Sequence, residues 1–61
     1  MNKVLFVSIR GEREVFTNEN LTACIDETNK LNKEHKFLSG TYVVECDNGS
    51  RMSAFQCEQL Q

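Results

Sequence analysis

The stretch that most constrains this chain is Thr41 to Cys57, TYVVECDNGSRMSAFQC, in which two strand-like runs flank Asp47-Asn48-Gly49. An Asn-Gly pair between such runs is the strongest short-range signal for a β-hairpin. Two loops compete. A two-residue loop at Asn48-Gly49 pairs Tyr42 with Phe55, Val44 with Ser53 and Cys46 with Arg51, mixing apolar and polar side chains on each face. A three-residue loop, a type I turn with Gly49 in the left-handed region, shifts the pairing by one residue. Tyr42, Val44 and Cys46 then share a face with Met52 and Ala54, while Glu45 faces Arg51 and Val43 faces Ser53. A one-residue slip turns every side chain over, so the cleaner segregation selects the three-residue loop. The second strand of this hairpin is expected to run on to Cys57.

Upstream, Lys3 to Arg10 (KVLFVSIR) is rich in Val, Ile, Leu and Phe and too short for a helix, which predicts a central strand. Leu5, Val7 and Ile9 form one face, and Val4 and Phe6 the other. Gly11-Glu12 is expected as a tight turn into a short strand, Arg13 to Thr17, although such a loop sets Arg10 opposite Arg13. A helix follows from about Asn20 to Lys33, with Leu21, Cys24, Ile25, Thr28 and Leu31 forming an apolar stripe at three- and four-residue steps. Asn18, Asn20 or Thr17 serves as its N-cap. Caps and Asp26–Lys30 pairing contribute only tenths of a kcal/mol to about 1 kcal/mol, so packing on the sheet must hold the helix. Phe37 and Leu38 are expected to plug the core beneath the hairpin, and Glu58 to Gln61 to fray.

The expected fold is α+β: a small antiparallel sheet of three to four strands, β-(β)-α-β-β, with one helix packed on one face. At 61 residues it forms a single domain, residues 1–61, close to the size at which one core barely offsets chain entropy. One helix covers one side of the sheet, and Val4, Phe6, Val43 and Phe55 are expected to project from the other. An uncovered apolar patch of this kind marks an interface, either for self-association or for a target. The competing expectation is that strand one has the opposite parity, or that the tail covers these residues.

Composition excludes several classes. The formal charge of −2 argues against a general nucleic-acid binder and is too mild for an acidic DNA mimic. No segment approaches the ~20 apolar residues of a membrane span, and no leader peptide is expected ahead of the first strand. Cys24, Cys46 and Cys57 have irregular spacing and no CxxC, and His35 is the single histidine, so no metal is expected. The thiols are expected to be reduced and mostly buried, in a cytoplasmic protein, with Cys46 and Cys57 on opposite faces of the hairpin and unbridged. The nine carboxylates are scattered, and no nucleophile motif accompanies His35. No glycine loop is built to cradle phosphate. The chain is expected to be no enzyme, with no catalytic residues, no cofactor and no small-molecule substrate. One basic cluster, Lys30, Lys33, His35 and Lys36, ends the helix and enters the loop. It is either a solvated face at a helix C-terminus or a contact surface for phosphate or an acidic protein.

Lys33-Glu34, Phe37, Gly40-Thr41, Glu45, Asn48-Gly49 and Ala54-Phe55, spread over about the last thirty residues, resemble a family of very small phage-encoded inhibitors, the anti-CRISPR proteins of type I-F surveillance complexes. The resemblance implies a strand, a helix and a terminal hairpin. It also implies non-enzymatic binding to a bacterial protein or ribonucleoprotein in the cytoplasm of an infected host. The family's use of basic helix-end residues falls on Lys33, with Lys30 nearby; here the chain departs by being acidic overall with interleaved carboxylates. The expected function is a phage-type inhibitor that blocks a host defence or regulatory macromolecule. A small nucleic-acid-binding regulator acting through Lys30, Lys33 and Lys36, or a homodimeric structural protein, are the alternatives.

Overall fold

The computed structural model describes residues 1–34 and 40–59. His35, Lys36 and the expected core plugs Phe37 and Leu38 lie outside the described residues, as does the end of the tail. The chain runs β1 (Asn2–Ser8), β2 (Gly11–Asn18), α1 (Leu21–Glu34), β3 (Gly40–Glu45), β4 (Arg51–Met52) and α2 (Ala54–Gln59). The strands form one antiparallel sheet ordered β2-β1-β3-β4, so β1 is interior, and the expected α+β architecture is present.

The β3–β4 hairpin takes the three-residue loop. Val44 pairs with Met52 and Glu45 with Arg51. The Gly49 N–H donates to the Cys46 carbonyl at 2.9 Å, the Cys46 N–H donates to the Ser50 carbonyl at 2.8 Å, and Gly49 sits at φ +88°. Strand pairing stops at Met52, however, and the expected continuation to Cys57 is replaced by α2. The reason is a capping box: the Gln56 N–H donates to Ser53 Oγ at 3.2 Å, while the Ser53 N–H donates to Gln56 Oε1 at 2.8 Å. That turn swings Cys57 into the core, where it is fully buried.

Helix α1 starts where its cap dictates. Asn20 Oδ1 accepts from the Thr22 N–H at 2.9 Å, and Asn18 Oδ1 accepts from the Asn20 N–H at 2.8 Å. Cys24, Ile25 and Thr28 are buried and Leu21 and Leu31 pack beside them. The cap contributes about 1 kcal/mol, whereas burying one Ile or Leu contributes about 2 kcal/mol. Packing therefore dominates.

The parity of β1 is the reverse of that expected. Val4 pairs with Val44 and Phe6 with Tyr42, so these four share the helix-covered face, and Val4 and Val44 are fully buried. Both faces of KVLFVS are apolar, and alternation alone does not say which one meets the helix. Gly40 helps to decide it. A Cβ there would stand 2.5 Å from Phe6 Cζ, so the glycine makes room for the Phe6 ring against Tyr42, with centroids 5.0 Å apart.

The first turn also differs. Ile9 and Arg10, not Gly11-Glu12, connect the strands, with Ser8 opposite Gly11 and Phe6 opposite Arg13. This avoids the Arg10–Arg13 confrontation and leaves Ile9 99% exposed. A bulge at Val15 (Val4 pairs with Phe16, Leu5 with Glu14) lets Phe16 return to the core face.

Candidate functional site

Three surfaces carry the residues of interest. The first is the basic end of α1. Lys30 and Lys33 are exposed beside a depression of about 330 Å3 that Asp26, Asn29 and Glu34 also line. Lys36 lies outside the described residues. The carboxylates interleave with the lysines, as the sequence pattern implies. Asn29 is 5% exposed; its Nδ2 donates to the Cys57 carbonyl at 3.2 Å, tying α1 to α2, while Oδ1 has no partner among the described residues.

The second surface is the sheet face opposite the helices. The four residues expected to meet there do not. Val4 is core and Phe6 packs against it. Phe55 is 67% exposed on α2, a helix rather than a strand. Only Val43 belongs to this face, half-buried beside Leu5, its partner on β1. Leu5 is nonetheless only 7% exposed. Arg51 on β4 reaches Glu12 on β2 through two hydrogen bonds of 2.8 and 2.7 Å, and Glu45 through a third of 3.3 Å. By strand order this contact spans β3 and β1, crossing the row that holds Val43 and Leu5. The hydrogen bonds that Arg51 donates hold the Glu12 carboxyl below its usual value, and the same bonds raise the guanidinium above its own. The patch is strapped rather than bare.

The third surface is the β1–β2 corner, which the sequence did not single out. Phe6, Ser8, Ile9, Arg10, Glu12 and Arg13 border a depression of about 560 Å3. Arg13 lies 6.0 Å from the centre of the Phe6 ring. Among the described residues neither Arg10 nor Arg13 forms an ion pair. One signal was present: a Gly11-Glu12 loop sets Arg10 opposite Arg13, which counts against that turn without saying where the turn falls.

The thiols offer little chemistry. Cys24 and Cys57 are fully buried, and burial pushes both above their ordinary value, which disfavours the nucleophilic thiolate. All three cysteines are free. Cys46 packs against the same core cluster as Cys57, so the expected placement of the two on opposite faces of a hairpin does not hold. Among the described residues no three His, Cys, Asp or Glu side chains gather to hold a metal, and no helix is long and apolar enough to cross a membrane.

The fold and its surfaces define a small α+β domain with two helices on one face of a four-stranded antiparallel sheet. Comparison with protein-family models, with curated proteins and with solved structures finds no match to this chain.

Proposed function

We propose that this protein is not an enzyme and acts by binding a bacterial protein or ribonucleoprotein and blocking it, as the small anti-defence inhibitors it resembles do in the cytoplasm of an infected host. One observation carries the reading: at the β1–β2 corner a fully exposed isoleucine borders a depression that Arg10 and Arg13 also line, and neither arginine forms an ion pair among the described residues. An apolar anchor beside arginine is the composition of an interface hot spot.

A pull-down from bacterial lysate tests this, comparing wild type with Ile9→Asp and with Lys30→Glu/Lys33→Glu, each sized alone to confirm folding. The expected result is one bacterial macromolecule retained by wild type, inhibited by it in a functional assay, and lost with Ile9→Asp. Loss confined to the lysine pair would move the site to the end of α1. Capture of nucleic acid that weakens steeply with salt would favour the nucleic-acid regulator instead.

A further inference from the structure

Strand β2 closes the sheet on one side and pairs only with β1. Among the described residues its one other backbone hydrogen bond is at its end, where the Asn18 carbonyl accepts from Cys24 Sγ at 3.9 Å, so its outer edge is open along Gly11 to Val15. Gly11 to Val15 are all exposed. This edge adjoins the Ile9–Arg10 corner in sequence and in space. Its charges are sorted by face. Arg13 stands opposite Phe6 on the helix side, and Glu12 and Glu14 stand opposite Val7 and Leu5 on the other side. Glu12 is engaged by Arg51; Arg13 and Glu14 form no ion pair among the described residues.

We propose that β2 is a strand-addition edge that takes an extended segment of the partner, in which an acidic side chain faces Arg13 and a basic side chain next to it faces Glu14. This rests on the binding reading above and supplies its mode. Strand addition draws affinity from main-chain hydrogen bonds and specificity from alternate side chains, and opposite charges across a strand pair are favourable. The same alternation opposes a second copy of this chain. Pairing two β2 strands with their helices on one side sets like charges against like: Glu12 against Glu14, or Glu14 against Glu14. Charged residues on an edge strand are a common guard against self-pairing.

The experiment uses the full chain and two capped peptides of about eight residues, the length of a strand. One has Lys-Glu-Lys at the centre of a Thr/Val sequence, and the other has Glu-Lys-Glu in its place. Binding is followed by amide chemical shifts and hydrogen exchange. The matched peptide should bind saturably, protect amides of Gly11 to Val15, and outcompete the inverted one by about tenfold, from cross-strand pairs of a few tenths to 1 kcal/mol each. Arg13→Glu/Glu14→Lys should reverse the preference, a gain that misfolding cannot imitate. Absence of saturable binding, equal binding of both peptides, shifts confined to α1 or α2, or concentration-dependent self-association blocked by Arg13→Glu/Glu14→Lys would each overturn the proposal. If that variant keeps the lysate partner while Ile9→Asp loses it, strand addition fails and the binding reading stands. If wild type captures no partner, the binding reading fails separately.

Discussion

Two glycines do different work and should respond differently to an added methyl group. Gly49 sits at φ +88° with open space around it, so Gly49→Ala meets only backbone strain, about 1 kcal/mol. Gly40 has no such angle, but a Cβ there would lie 2.7 Å from the Val7 carbonyl oxygen as well as against Phe6. Backbone cannot swing aside as a side-chain tip can, so Gly40→Ala is expected to cost more, about 1–3 kcal/mol. Urea unfolding of the two variants checks the order, and a neutral Gly49→Ala would contradict the turn. The role of Gly49 was legible because the turn is local. That of Gly40 was not, because the ring it makes room for is more than thirty residues away in the chain.

At the scale of elements, α2 shows how a local signal can be outvoted and still win. Six residues are too few for a helix to persist alone, since isolated helices shorter than about 12–15 residues are marginal in water. The Ser53/Gln56 capping box starts it, Cys57 anchors it in the core, and the Asn29 amide satisfies the Cys57 carbonyl. Ser53→Ala should therefore lose about 1 kcal/mol, read as a lower urea midpoint with an unchanged slope. The Ser-x-x-Gln spacing was visible in the sequence, but hairpin pairing of Val43 with Ser53 suited the alternation equally well. A buried Asn2 ties two distant segments together. Its amide donates to the Glu19 carbonyl at 3.0 Å and accepts from the Asp47 N–H at 3.2 Å, joining the entry to α1 with the β3–β4 loop.

Across the whole molecule, the Arg51–Glu12 contact joins the two outer strands over the face without helices. It is exposed and screened by salt, so its effect is best read through pH. Hydrogen bonding to Arg51 lowers the Glu12 carboxyl from 4.5. A group depressed on folding contributes stability above its unfolded value and loses it as pH falls through the folded value. Glu12→Gln should thus melt below wild type at pH 7, and the gap should close as pH falls below 4.5 through the lowered folded value. A gap that persisted in acid would mean that packing over Leu5, rather than charge, carries the contact. The expected bare face was misjudged for a different reason: β1 turns Val4 and Phe6 towards the helices, and Phe55 lies on α2. The apolar residues of the outer face are Leu5, Val7 and Val43, and the Arg51–Glu12 contact joins the strands on either side of them.

Elements whose cause is local could be derived from the residues: the register of the β3–β4 hairpin, the stripe and cap of α1, the interior place of β1. The first two depend on side-chain periodicity or on hydrogen bonds between near neighbours, and the interior place of β1 on the apolar residues of both its faces. The orientation of β1, the end of β4 at Met52, the strap over the outer face and the exposed Ile9 corner depended on contacts between distant segments. In KVLFVS both faces are apolar, so the choice between them was left to where Tyr42, Val44 and the Gly40 gap stand once the sheet has assembled.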